Sequence, residues 1–128
     1  MTLEQQRAAL AFQHVSEVPR DDEKVRDLYG SMAQKLPVLI RTAGLCQAVH
    51  FVRSRNNKPI LGMLLNHLAA QLQRVDASIT DGSKLCERVR TVDLSQYLWL
   101  TREALASAEW YSRLSQSELG VDRAADAQ

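Results

Sequence analysis

The sequence is short of the residues that interrupt or cross-link a chain. Its 128 residues include only five glycines, three prolines and two cysteines. So few helix breakers, in a chain rich in alanine, leucine, glutamine, arginine and glutamate, favour helices throughout. Cys46 and Cys86 lie forty residues apart, and neither belongs to a C-x-x-C pair. We therefore expect two free, buried thiols in a reducing cytosol.

Long apolar runs are also missing. No stretch approaches the roughly eighteen apolar residues that a membrane span requires. The N-terminus shows no charged segment followed by an apolar one, as a secretory signal would. These absences predict a cytoplasmic protein without a membrane partner. The composition, 45% apolar and 24% charged, is that of an ordinary soluble domain.

The chain also lacks the motifs that usually carry catalysis. It has no nucleophile elbow, no phosphate-binding loop of the Walker type and no glycine-rich dinucleotide turn. His14, His50 and His67 do not show metal-ligand spacing with one another or with the cysteines, so we expect solvated or partner-facing histidines. The adjacent carboxylates Asp21 and Asp22 are explained by a helix start. We predict no enzymatic activity, no catalytic residue, no metal and no cofactor.

The most informative absence is that of acidic residues from positions 28–75. Those forty-eight positions carry six Lys or Arg side chains, while the other eighty carry ten basic and fifteen acidic ones. The charges of +6 and −5 cancel to the formal +1 of the whole chain. Such segregation indicates a surface that faces a polyanion, although a basic surface can also be simply solvated.

Hydrophobic periodicity and cap residues predict an all-α, compact single-domain bundle of about six or seven helices. Pro37 either kinks the second helix or starts a short new one that ends before Gly44. The domain is expected to span residues 1–116, with a flexible tail over 117–128. The predicted helices cover residues 2–18, 22–42, 45–53, 59–75, 84–90 and a last segment from 93.

Some apolar side chains point away from the expected core. The last helix has two apolar faces, one through Leu94, Leu98 and Leu105 and the other through Trp99 and Trp110. A helix of this kind lies centrally in a bundle or at a subunit boundary. The tentative subunit-contact residues are Phe51, Met63 and Trp110.

Three segments in register resemble a known family, the small α-helical subunit of the type III-B CRISPR effector, the Cmr complex. They are residues 2–7 (TLEQQR), residues 29–51 with the run KLPVLIRTAGLCQAVHF, and residues 97–105 (YLWLTREAL) continuing to Trp110. Two departures are visible: Ala43 stands where the family usually has asparagine, and Leu114-Ser115 replaces an aromatic-alanine pair. The match spans roughly residues 2–115.

The resemblance implies a non-catalytic subunit of an RNA-guided, RNA-targeting assembly. Copies of the family's small subunit stack beside the backbone subunits and line the groove in which the guide–target RNA duplex forms. RNA cleavage belongs to the backbone subunit and nucleotide signalling to the large subunit. The implied partners are therefore the backbone and large subunits, other copies of this chain, the guide RNA and the target RNA.

A groove that holds a guide–target duplex needs contacts to the RNA backbone that do not depend on sequence. The candidate RNA-binding residues are Lys35, Arg41, Arg53, Arg55 and Lys58. The first two lie within the resembling segment, and the other three rest on charge alone. Arg102 and Arg113, on one stripe of the last helix, are second-rank candidates.

Two other functions are compatible with this sequence. A helical adaptor could meet an acidic protein partner through its basic face, without direct RNA contact. A helix-turn-helix DNA reader pivoting on Gly44 has less support, because the helix from Leu45 carries few side chains suited to base edges.

Overall fold

The computed structural model describes residues 1–55 and 57–122, and within them it contains α-helices and no β-strand. This confirms the predicted all-α, single-domain bundle. Six helices follow in order: α1 (Leu3–Ser16), α2 (Glu23–Ala43), α3 (Leu45–Arg53), α4 (Pro59–Leu72), α5 (Gly82–Thr91) and α6 (Leu94–Leu119).

Polar cap residues fix where most of the helices begin. Thr2 and Gln5 form the reciprocal bonds of a capping box at α1, and the side chains of Asp22 and Asp81 cap α2 and α5. Asp93 caps α6 by accepting a hydrogen bond from the backbone N–H of Gln96. The Gln96 side chain forms no reciprocal bond with Asp93 in the described chain, and its amide instead donates to the carbonyl of Val75 at 3.4 Å.

Pro37 neither breaks nor ends α2, which runs for 21 residues through it. A proline inside a helix removes one backbone hydrogen bond, so tertiary packing must hold the helix together at that point. Pro37 is buried, and α2 packs lengthwise along α6. The break falls at Gly44, whose φ of 90° lies in a region that favours glycine and turns the chain into α3.

The periodicity that predicts α4 corresponds to a buried face, since Leu61, Leu64, Leu65, Leu68 and Leu72 are all buried. One of the two apolar faces predicted for α6 is exposed at its N-terminal end. Leu94 and Leu98 are 72% and 58% exposed.

The buried face of α6 instead runs through Leu100, Ala104, Ser107, Ala108 and Tyr111. The three small residues on this face let α1 and α2 approach the helix closely. Packing distance, rather than hydrophobicity alone, therefore decides which face of α6 turns inward.

The last described residues pack against α2 and lie within the segment that was expected to be a tail. α6 continues to Leu119, and Gly120 ends it in the left-handed conformation. Val121 is buried against Gly30, where any added Cβ would lie 2.6 Å from a Val121 methyl. The Gln34 amide donates to the Val121 carbonyl at 2.7 Å. The tail predicted from residue 117 thus begins too early, and its part over 123–128 lies outside the described residues.

A polar cluster occupies the centre of the bundle and corrects the expectation of solvated histidines. His14 of α1 and His67 of α4 are buried, with ring centroids 4.1 Å apart and planes nearly parallel. The Tyr29 hydroxyl lies 2.7 Å from Nδ1 of His67, and the Tyr111 hydroxyl lies 2.7 Å from Nδ1 of His14. Gln71 donates to the same Tyr111 oxygen at 3.2 Å. Only His50 is partly exposed, as expected of all three histidines.

Burial lowers the pKa of both histidines. The pKa of His67 falls to about 3, mainly because the ring is desolvated and to a smaller extent because the charge of a protonated His14 opposes its own. Glu17 lies 3.6 Å from Nε2 of His67 and would favour the charged ring. That carboxylate is half exposed, so solvent screens it and desolvation dominates.

A second polar group holds α1, α4 and α6 together at one side of the bundle. The buried Glu103 carboxylate accepts two hydrogen bonds from Arg7, at 2.7 and 3.0 Å, and one from Arg74 at 3.2 Å. Ser107 donates to it at 3.0 Å. A buried carboxylate is tolerated when it is paired and hydrogen-bonded in this way.

We predict that acidification destabilises the bundle through His67. The unfolded chain takes up a proton near pH 6.5, whereas folded His67 does so only near pH 3. Stability is therefore lost as the pH falls below 6.5, by about 2 kcal/mol at pH 5 from this group. Urea unfolding at pH 7.5 and pH 5 measures the difference.

The matched variant is His67→Gln, whose amide oxygen can still accept from Tyr29 but does not titrate. Its loss of stability between pH 7.5 and pH 5 should be smaller than that of the native chain but not zero, because His14 still titrates. An equal loss in both proteins would contradict the assignment.

Candidate nucleic-acid interface

The five candidate RNA-binding side chains are all exposed, but they fall into two groups. Lys35 and Arg41 lie on α2. Arg53 ends α3, while Arg55 and Lys58 belong to the connection between α3 and α4. The chain therefore brings three of the five together and leaves two apart.

Arg53, Arg55 and Lys58 line a depression of about 330 Å³ where α3, α4 and α5 meet. We call it the α3–α4–α5 depression. None of its lining residues is an aspartate or glutamate, and within residues 1–55 and 57–122 its three cations form no ion pair. Its lining residues are Val52, Arg53, Arg55, Lys58, Pro59, Gly62, Leu65, Asn66, Gly82 and Ser83.

Local structure positions these cations. The turn after α3 is closed by backbone bonds from Arg55 to the Val52 carbonyl and from Lys58 to the Arg55 carbonyl. The Arg55 guanidinium lies over the Phe51 ring, 5.3 Å from its centroid, and this cation–π contact limits its motion. Pro59 then starts α4 at its first position, which fixes the backbone beside Lys58.

Helix α5 adds a cation that the sequence did not indicate. Arg90 donates to Nε2 of His50 on α3 at 3.2 Å, and no ion pair of Arg90 is found in the described chain. Arg90 lies outside the acid-free segment and close in sequence to Glu87 and Asp93. A count of charges along the sequence therefore does not identify Arg90 as part of the basic surface, although its helix, α5, packs beside α3.

Cys86 lies under the same surface as a free thiol. Burial raises its pKa, and a hydrogen bond with Arg53 opposes that rise. Cys46 is also free and only partly buried. The thiols are thus free as predicted, and Cys86 alone is fully buried.

Arg41 differs from the other candidates because it already has an acidic partner. Its guanidinium forms an ion pair with Glu109 of α6. The segment 28–75 is free of acids in sequence, but α6 brings one beside Arg41 in space. A neighbouring carboxylate offsets the field that would attract a phosphate. Lys35 is exposed on the same helix, and among the described residues it forms no ion pair.

The three expected subunit-contact residues lie at separate places. Phe51 is partly covered by Arg55, and Trp110 donates from its indole N–H to Glu4 at 3.0 Å. Met63 lines a second, mostly apolar depression of about 490 Å³ together with Val25, Leu28, Ile60 and others.

Another group of exposed apolar side chains was not among those candidates. Leu94 and Leu98 are exposed at the start of α6, and Trp99 beside them is 56% exposed. Arg102 lies over the Trp99 ring at 5.2 Å. Two exposed leucines and a tryptophan on one turn of helix are typical of a protein contact.

Residues 1–55 and 57–122 hold no group of three or more His, Cys, Asp or Glu side chains placed to bind a metal ion. In the same residues, no helix is both long and apolar enough to cross a membrane.

Comparison with known proteins decides the family. Residues 3–118, which span α1 to α6, match the family described as CRISPR-associated protein (Cas_Cmr5). The chain belongs to this family. The resemblance to the small Cmr subunit is thereby confirmed.

A curated relative and a solved structure, both from Thermus thermophilus, agree with the match. The protein named CRISPR system Cmr subunit Cmr5 is 44% identical over 110 residues, which cover 86% of this chain and 90% of that one. A crystal structure titled as a CRISPR-associated Cmr5 family protein superposes with a TM-score of 0.77 at 42% identity. That superposition covers 91% of this chain and 97% of the other.

We predict that Glu109→Gln strengthens binding to polyanions, because it releases the charge of Arg41. Elution from a heparin column measures this effect. The control is Asp21→Asn, which changes the net charge equally but frees no cation, since Asp21 forms no ion pair in the described chain. Glu109→Gln should elute at clearly higher salt than Asp21→Asn. Elution of both variants at the same salt would show that Glu109 does not limit Arg41.

Proposed function

We propose that this chain is the non-catalytic small subunit of a type III-B Cmr complex and contacts the RNA of that complex through its basic surface. The contact surface consists of Arg53, Arg55, Lys58 and Arg90, with Lys35 as an outlying member. The chain stacks with further copies of itself beside the backbone subunits of a cytoplasmic assembly, as the family resemblance implies.

The observation that carries the proposal is the grouping of unpaired cations at the junction of α3, α4 and α5. Most other arginines of the described chain have acidic partners, among them Arg7, Arg20, Arg26, Arg74 and Arg88. Cations without such partners can neutralise phosphates and release counterions. Contact with a nucleic-acid backbone therefore explains this arrangement better than a general solubilising role does.

The same surface argues against readout of base sequence. Its cations come from the end of α3, the following turn and α5, so no single helix presents a row of polar side chains. Contacts of this kind position a backbone and carry no sequence information. A subunit that lines a groove for many different guides needs that property.

The buried positions of His14 and His67 agree with a structural role for the chain. His14 and His67 are hydrogen-bonded to tyrosines in the interior, where a substrate cannot reach them. The groups best suited to acid–base chemistry near neutral pH are thus committed to packing.

The second candidate is a helical adaptor that binds proteins without direct RNA contact. The exposed turn with Leu94, Leu98 and Trp99 favours it, because such a surface suits a protein partner. The two functions are separated by treating the purified assembly with ribonuclease. An adaptor keeps its partners after digestion and does not protect RNA.

We predict that Arg53→Gln/Arg55→Gln weakens RNA binding by about tenfold at low salt and flattens its salt dependence. Loss of two phosphate contacts should reduce the slope of log K against log salt by roughly 1.5. Anisotropy titration of a labelled RNA over a salt series measures both values.

The matched control is Arg20→Gln/Arg26→Gln, which removes two cations that already have acidic partners. We expect less than about a threefold change in affinity from it. Equal losses in the two double variants would mean that only net charge matters, and would contradict a defined RNA-contact surface.

A further inference from the structure

We infer that the α3–α4–α5 depression binds one nucleotide of an RNA strand, with the phosphate held by Arg53, Arg55 and Lys58. The inference rests on the proposed function and adds a particular site to it. A basic surface alone requires only scattered cations, whereas this depression also has shape, apolar walls and polar groups.

The size of the depression suits a ligand of this kind. Its volume of about 330 Å³ is at the lower end of the range found for small-molecule sites. The apolar side chains of Val52, Pro59 and Leu65 line it beside the three cations. A ribose or a base can pack against them while the phosphate remains near the charges.

Two polar groups in the lining have hydrogen-bonding capacity to spare. The Asn66 side-chain oxygen accepts from the backbone N–H of Gly82 at 2.8 Å, which fixes the amide and leaves its N–H donors without a described partner. The Ser83 hydroxyl also forms no hydrogen bond with any described residue. Donors placed in this way suit a ribose hydroxyl or a base edge.

Two glycines give the depression its form. A Cβ at Gly82 would lie 2.8 Å from the Cβ of Leu65, so glycine is required where α5 approaches α4. At Gly62, by contrast, a Cβ would meet nothing within 4 Å. Gly62 is exposed within α4 and lines the depression, so a side chain there would project into open space.

The nearest acidic residue in sequence does not oppose an anion here. Asp81 immediately precedes Gly82, but its carboxylate caps α5 by accepting from the backbone N–H of Lys84 at 2.8 Å. It is not among the lining residues. The described lining thus carries three positive charges and no negative one.

The test fills the depression without changing its charge. Gly62→Gln places a long neutral side chain in it, whereas Gly62→Ala adds a single methyl group. Both replacements raise helix propensity relative to glycine, so neither should lower the melting temperature. Binding of a short, labelled single-stranded oligouridine to the full chain is measured by fluorescence anisotropy. We expect about a tenfold loss for Gly62→Gln and less than about a twofold change for Gly62→Ala.

A second measurement uses the native chain and uridine monophosphate as the probe. In NMR titration, the backbone amides of Gly62 and Gly82 and the side-chain amide of Asn66 should shift together. Absence of these shifts overturns the inference even if the filling variant loses affinity.

The outcomes separate this inference from the proposed function. Wild-type affinity in Gly62→Gln, with loss in Arg53→Gln/Arg55→Gln, means that RNA lies over an open basic surface. That result overturns the nucleotide site and leaves the proposed function standing. Wild-type affinity in both variants contradicts the proposed function and the nucleotide site together.

Discussion

The structure depends on a buried polar cluster to which all four long helices contribute. His14 comes from α1, Tyr29 from α2, His67 and Gln71 from α4, and Tyr111 from α6. Leaving any of these groups unpaired in the interior would cost about 1–3 kcal/mol. Apolar contacts would tolerate small rotations of each helix about its axis, but this set of hydrogen bonds does not. The cluster therefore fixes the mutual register of α1, α2, α4 and α6.

The two short helices take no part in that cluster, and the proposed RNA-contact surface lies on them and on the connection that follows α3. α3 and α5 pack on each other and on one end of α4, with their buried residues joining the apolar core. Acidic groups from α1 and α6 are used at other places, where they pair with Arg7, Arg41 and Arg74. The cations left without partners at the junction of α3, α4 and α5 are thus a consequence of how the acids are distributed in space.

Local features of the sequence predicted most of the helices, and tertiary features explain the errors. Periodicity located α4, and cap residues located the starts of α1, α2 and α6. Pro37 was ambiguous because packing on α6 decides whether a proline interrupts a helix. The two apolar faces of α6 left its buried side undecided, because periodicity does not register that small residues allow closer helix packing. His67 was expected in solvent because its partner Tyr29 is remote in sequence. The sequence did not reveal the Glu109 partner of Arg41 or the position of Arg90 beside α3 for the same reason, since charge along a chain differs from charge around a point.

Crosslinking of the assembled complex tests the central claim most directly. The complex is purified with its guide and target RNA, irradiated, digested and analysed by mass spectrometry for peptides of this chain that carry a nucleotide. The account predicts crosslinks within residues 50–66 and 82–90, around the junction of α3, α4 and α5. Crosslinks confined to α1 and α6, or an assembly in which this chain carries none while the backbone subunits do, would contradict it.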